Sequence, residues 1–304
     1  MGRDLLAASA AARSVFERAD QALGEPLSKL ILEGPEAELT ITANAQPAIL
    51  ATSCAALAAI RERVPDLPLP AFAAGHSLGE YSALVAAGAL AFEDAVRLVR
   101  ARGRAMQQAV PQGTGAMSAV MGVARARLEE LCAQAAHGEV VSPANFNAPG
   151  QIVVAGHAGA VARVGELAAA DKGRVIPLNV SAPFHCALMA PAAVVVRDEL
   201  ARISVAPFRF PVVANFDARP NADPARVKDL LVGQVDGVVR WEESVRAMVA
   251  EGVTHALEIG PGKVLAGLVK RIAKDAGATV NVLSVGDVAS LDQVPAFLVA
   301  ARTA

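Results

Sequence analysis

The residues best suited to chemistry are Gly75-His76-Ser77-Leu78-Gly79. They follow the apolar run Leu69-Pro70-Ala71-Phe72-Ala73-Ala74 and precede an amphipathic run from Glu80 to Leu90. Strand, sharp turn and helix are the context that a G-x-S-x-G nucleophile elbow needs. Glycines on both sides of the serine let the backbone turn tightly and leave room for a substrate. The Ser77 hydroxyl then stands at the head of a helix, where backbone N–H groups starting with Leu78 can hold a developing oxyanion. The bland alternative is a glycine-rich βα turn whose serine caps the helix.

A serine hydroxyl is a weak nucleophile and needs a base within hydrogen-bond reach. The chain offers five histidines. His76 adjoins Ser77 and is expected to point away from it. His137 sits near a polar helix end, His157 in a strand-to-helix turn, and His255 at the start of a strand. His185 lies in a strand-to-helix loop, Ser181-Ala182-Pro183-Phe184-His185, stiffened by proline. By elimination it is the leading base. In the amphipathic run Phe92 to Val110, Arg102 falls in the middle of the apolar stripe Ala95, Leu98, Val99, Ala105, Met106 and Ala109. Arg97, Arg100 and Arg104 fall outside it and are expected in solvent. An arginine on a buried face needs an anionic partner or a polar cavity. A structural ion pair and a carboxylate-binding role both satisfy that requirement.

The elements that must position these groups follow from the hydrophobic pattern. The chain has 304 residues, 54% hydrophobic and only 4% aromatic, enough for one large α/β domain or two modest ones. A net charge of −2 gives no general reason to expect nucleic-acid binding. No uninterrupted apolar run reaches membrane-spanning length. Three distant cysteines, Cys54, Cys132 and Cys186, fit buried thiols in a reducing cytoplasm better than disulfides or a metal site. Helices are expected over Asp4–Leu23, Leu27–Leu32 and Ala43–Val64, before the first convincing strand near Ala71. Doubly wound folds usually open on a strand, so this opening is unusual. Residues 113–181 carry strands and helices in the order βαββαβ, a ferredoxin-like split motif forming an inserted subdomain. Its middle strands are joined through Asn145-Phe146-Asn147-Ala148-Pro149-Gly150, which the simplest reading makes a hairpin loop. Strands near Phe210–Asn215, Thr254–Ile259 and Val280–Val285, with helices between them, complete the chain.

Taken together, these segments resemble the malonyl-CoA:acyl carrier protein transacylases. The resemblance runs through Gly75-His76-Ser77-Leu78-Gly79-Glu80-Tyr81-Ser82-Ala83-Leu84, Arg97 to Gly103 and Gly113 to Met117. It continues through Asn145 to Gln151, Ser181 to Met189 and Glu258 to Leu265. It implies an α/β fold: an α/β-hydrolase-like core of residues 1–112 and 182–304, carrying the ferredoxin-like subdomain 113–181. It implies that Ser77 becomes a malonyl ester, that His185 relays the proton, that Arg102 pairs with the malonyl carboxylate and that the Leu78 N–H is an oxyanion donor. His76, Asn147 and Phe184 would touch substrate; Phe184 is common in malonyl-selective relatives. His185 would be oriented by a backbone carbonyl from the segment around Val239-Arg240-Trp241. The reaction would be ping-pong, from malonyl-CoA to the phosphopantetheine thiol of acyl carrier protein, for fatty-acid or polyketide synthesis. It would need no cofactor and no metal, and the enzyme would be a cytoplasmic monomer without nucleic-acid or membrane partners. Arg174, Lys263, Lys270 and Arg271 are candidates for meeting the acidic carrier protein.

Two departures from the family pattern stand out. Members open with a strand and a Gly-Gln-Gly-x-Gln loop whose glutamine N–H is a second oxyanion donor. Met1-Gly2-Arg3-Asp4-Leu5 resembles the segment just after that loop, so the strand and donor are expected to be absent here, exposing sheet edges. Asp236-Gly237-Val238 replaces a stretch where relatives often carry an aromatic or polar residue and then proline. Two other function classes compete. A serine hydrolase would pair Ser77 with His255 and Asp217 or Asp223. A non-catalytic carrier-protein binder would dock without acylation.

Overall fold

The computed structural model describes residues 1–303. The strands are β1 (Ala73–Ala74), β2 (Gly115–Met121), β3 (Val141–Ala148), β4 (Gln151–His157), β5 (Arg174–Pro177), β6 (Val212–Val213), β7 (Pro220–Asn221), β8 (His255–Ile259) and β9 (Asn281–Val285). The fold is mixed α/β, with helices between most strands. β1 runs parallel to β6, and β6 antiparallel to β7. β8 and β9 form a separate parallel pair, with Leu257 opposite Leu283. Two short parallel pieces thus stand where a doubly wound fold would have one continuous sheet.

The opening segment is not one helix. It breaks at Ser9 into Arg3–Ala8 and Ala10–Leu23. Ser9 is extended, and its hydroxyl accepts the Ala12 N–H at 3.0 Å, which caps the second helix. The apolar pattern continues across the break because Leu5 and Ala12 enter the same core. The four- and five-residue helices Val288–Leu291 and Glu36–Thr40 and the two-residue β7 are too short to carry a periodic pattern, and the terminal helix Val294–Thr303 lies beyond the last expected strand.

Helix Thr42–Arg63 packs against Ala10–Leu23 and Phe92–Gln108 and forms the centre of the larger core. By length and composition it could cross a bilayer, but here Leu50, Ala51, Ala55 and Ile60 are buried inside the protein. It contains Pro47, which supplies no N–H to the carbonyl one turn earlier. That carbonyl, of Ala43, accepts Nη1 of Arg100 at 2.7 Å. Arg100 also bonds the Asn44 side chain and pairs with Glu25. The expectation that Arg100 lies in solvent is therefore corrected: it is 5% exposed, because the Ala43 carbonyl needs a donor there. Gly103 lets the two helices touch, since a Cβ at that position would stand 2.7 Å from the Thr42 carbonyl oxygen.

β2 to β5 form an antiparallel sheet in the order β3-β4-β2-β5, with helices Arg125–Ala135 and Ala158–Ala170 in the expected βαββαβ sequence of elements. Successive side chains along a strand point to opposite faces. Val120, Ile152 and Val154 accordingly pack under the helices with Leu128, Leu131, Val161 and Val164. Met117, Ala119, Val153 and Ala155 face the other way and pack with Cys186 and Phe184. This second face supports the loop that carries His185.

Candidate active site

Gly75 is a glycine because of the turn: a Cβ there would lie 2.0 Å from the Gly79 carbonyl carbon. Ser77 then takes a left-handed backbone, with φ of 50°. That conformation is costly for a residue with a side chain and persists only where neighbours hold it. Asn215, fully buried just after β6, does so. Its Oδ1 accepts the Ser77 N–H at 2.6 Å and its Nδ2 donates to the Gly75 carbonyl at 2.8 Å. Helix Gly79–Ala86 starts immediately afterwards. Among the described residues the Leu78 N–H has no acceptor, so it is free to meet an oxyanion.

His185 also has positive φ, 60°. Its Nε2 lies 2.7 Å from Ser77 Oγ, and its Nδ1 lies 2.9 Å from the Gln234 carbonyl oxygen. With the Nδ1 proton donated to that carbonyl, Nε2 is left as the acceptor for the serine proton. The orienting carbonyl is therefore not around Val239-Arg240-Trp241. Gln234 lies in the last turn of helix Val227–Asp236, where carbonyls have no intrahelical partner. Val239 is engaged elsewhere, exchanging backbone hydrogen bonds with Ala144 and Phe146 of β3. Burial pushes the His185 imidazole down to about 3, and the nearby Arg102 charge pushes the same way. The ring is thus neutral at physiological pH.

Arg102 is 1% exposed, as its place in the apolar stripe predicts. Nη1 donates to Gln46 Oε1 at 2.6 Å, and Nη2 to Gln234 Oε1 at 3.0 Å and Ser77 Oγ at 3.0 Å. Its guanidinium carbon stands 5.4 Å from the Tyr81 ring centroid. None of these partners is a carboxylate, and Nε is buried with no partner. A buried cation that hydrogen-bonds only to neutral groups, with Nη2 on Ser77 Oγ and its Nε–H unused, is poised for a ligand carboxylate.

The other expected contacts divide. His76 Nε2 lies 2.8 Å from Asn147 Oδ1, and its ring packs 5.8 Å from that of Trp241. Both side chains therefore meet beside the elbow, with His76 turned away from Ser77 Oγ. Burial lowers the His76 pKa, offset in part by its bond to Asn147. Asn147 belongs to β3 rather than to a loop. Phe184 is half-buried where the main core meets the small sheet. Arg174, Lys263, Lys270 and Arg271 are all exposed, and Arg271 also bonds the Pro149 carbonyl and the Gln151 side chain.

The hydrolase arrangement does not assemble. His255 contacts Thr254, Asn281 and Phe297. Asp217 pairs with Arg226, and Asp223 caps the turn at Ala225. Four residues of the site went unread in the sequence: Gln46, Glu80, Asn215 and Gln234. The available signal was their polarity inside apolar segments, such as Gln46 in an Ala- and Leu-rich helix and Gln234 after Leu230-Leu231-Val232-Gly233. A buried polar side chain needs a partner, but the pattern does not say which.

A sharp serine elbow, a histidine held by a carbonyl and a buried arginine without a carboxylate partner define an acyl-transfer type of site. The chain belongs to the acyl transferase domain family, whose sequence model matches residues 1–302. It is 50% identical over 258 residues to the malonyl CoA-acyl carrier protein transacylase of Salmonella typhimurium, covering 84% of this chain and 83% of that one. The enzyme of the same name from Bacillus subtilis is 47% identical over 276 residues, 90% of this chain and 86% of that one. Among solved structures, an acyl carrier protein S-malonyltransferase from Vibrio cholerae superposes with a TM-score of 0.91 at 47% identity, over 97% of this chain and 94% of that one. A malonyl-transacylase solved in complex with a type II PKS acyl-carrier protein matches at a TM-score of 0.91 and 43% identity, over 96% of this chain and 93% of that one.

Proposed function

We propose that this acyltransferase moves the malonyl group from malonyl-CoA to the phosphopantetheine thiol of acyl carrier protein through a malonyl-Ser77 intermediate. His185 Nε2 takes the proton as Ser77 Oγ attacks the thioester carbonyl. The Leu78 N–H receives the developing oxyanion. The C–S bond breaks, and CoA leaves with the proton from His185. The carrier thiol then gives its proton to His185, attacks the ester and regenerates Ser77, which is ping-pong transfer. The negative end of helix Val227–Asp236, whose Gln234 carbonyl faces Nδ1, favours the imidazolium that forms in each half.

The observation that carries this reading is Arg102, buried beside Ser77 with Nε unpaired. Nε and Nη2 would form the edge that receives the free malonyl carboxylate. His76 and Asn147 would line the route of the pantetheine arm, and Phe184 would fill space beside the acyl group. Chain architecture fits the same reading: an α/β-hydrolase-like core of residues 1–112 and 182–304, and a ferredoxin-like subdomain of 113–181. Protein groups alone perform the steps, so we assign no cofactor, and we take the enzyme to act as a cytoplasmic monomer.

The selectivity experiment compares R102A with wild type on malonyl-CoA and acetyl-CoA. Loss of a charge-assisted bidentate contact should cost malonyl transfer at least about 100-fold. Acetyl transfer should change by less than about tenfold. Equal losses on both substrates would remove the carboxylate role of Arg102.

A further inference from the structure

Glu80 stands three residues beyond the nucleophile, in the first turn of helix Gly79–Ala86, and is 2% exposed. One of its carboxylate oxygens, Oε2, accepts the Asn215 backbone N–H at 2.9 Å and Gln234 Nε2–H at 2.7 Å. Those two partners in turn bond to the Ser77–His185 pair. Asn215 fixes the Ser77 backbone through its side chain. Gln234 fixes the His185 ring through its carbonyl, and its Nε2 donates to the Ser77 carbonyl at 3.0 Å. A single oxygen atom thus ties together the elbow helix, the segment after β6 and the last turn of helix Val227–Asp236.

We propose that Glu80 is a positioning residue that sets the distance and orientation between Ser77 Oγ and His185 Nε2 without touching substrate. The inference rests on the serine–histidine reading of the site and adds a residue to it. A hydrophobic side chain at position 80 would pack well against Leu84 and Leu230, which line the small cavity beside Glu80. It would, however, leave the Asn215 N–H and the Gln234 amide without an acceptor. Gln234 could then turn, releasing both the Ser77 carbonyl and Arg102, which its Oε1 holds. Both bonds end on one oxygen, so a glutamine carbonyl can accept both. The positioning role therefore requires an acceptor of the right length, not a negative charge. Burial raises the Glu80 carboxyl to about 7, opposed by the hydrogen bonds from Asn215 and Gln234 and then by the Arg102 charge, with Asp217 reinforcing the rise.

The test times adduct formation on Ser77 by intact mass, using wild type, E80Q and E80A, each also combined with H185A. An alkyl fluorophosphonate serves as the first reagent, because it reads the serine–histidine pair without malonyl-CoA. Ser77 Oγ bonds to phosphorus, fluoride leaves and His185 takes the proton. E80A should label about 10–100-fold more slowly than wild type, within what a misaligned general base costs. E80Q should stay within about threefold. In the H185A background, E80A should add no further loss, because the residue acts through the histidine. If E80A does not fold, as judged by circular dichroism, E80D replaces it: it draws the carboxylate back by one methylene and should show the same slow, His185-dependent labelling. Three results would overturn the proposal: E80A (or E80D) as fast as wild type, E80Q as slow as E80A, or the same fold loss with and without His185. Malonyl-CoA is the second reagent. A wild type that takes the fluorophosphonate but no malonyl group would sink the transfer reading, while the labelling pattern of the variants would still decide the role of Glu80.

Discussion

Ser77, Arg102 and His185 are separated by as many as 108 positions in the chain, yet two contacts of 2.7 and 3.0 Å join them. The His185 ring resists protonation until about pH 3, whereas a solvated histidine takes a proton near 6.5. The unfolded chain therefore binds more protons than the folded one in that window, and stability should decline as pH falls from 6.5 toward 3. Glu80 has the opposite sign. Its carboxyl, raised from 4.5 to about 7, contributes stability that is complete below 4.5 and lost as pH rises through 7. In the reaction, the neutral ring should keep the rate of Ser77 acylation flat from about pH 8 to about pH 5, since the essential base is still unprotonated there. Rapid-quench acylation across that range checks this, and an inflection near 6.5 would contradict the buried, neutral ring. Ser77, His185 and Arg102, which the structure brings together, stood out in the sequence because each breaks a local pattern: glycines around a serine, a histidine in a stiff loop, a charge on an apolar face. The orienting Gln234 carbonyl did not, because a backbone group leaves no mark on residue type.

At the scale of elements, the buried arginine of helix Phe92–Gln108 was legible and its neighbour was not. Arg102 shows in the helical period. Arg100 lies outside the stripe, but the missing N–H of Pro47 on another helix pulls it inward to the Ala43 carbonyl. Only the packing of the two helices reveals that need. R100M should leave that carbonyl without its donor and lower stability by about 1–3 kcal/mol. Urea denaturation measures it; an unchanged midpoint would show that the carbonyl finds another partner. Long periodic helices and the alternating strands of residues 115–177 were readable because burial of one face dictates their period. The break at Ser9 was not, since a capped junction keeps the same face buried on both sides.

For the whole molecule, the order of elements gave the small antiparallel sheet with its two helices, while the division of the remaining strands into β1–β6–β7 and β8–β9 depends on pairing between distant segments. The function depends on that assembly. The elbow follows β1, Asn215 follows β6, and His185 rides on a loop backed by the small sheet, so the site exists only when these parts meet. The most direct measurement of the central claim is intact mass after mixing the protein with malonyl-CoA, followed by addition of holo-acyl carrier protein. Wild type should gain a single malonyl group on Ser77 and lose it as the carrier becomes malonylated, while S77A gains none. A malonylated carrier formed equally well by S77A, or a Ser77 ester that water removes and the carrier does not, would contradict it.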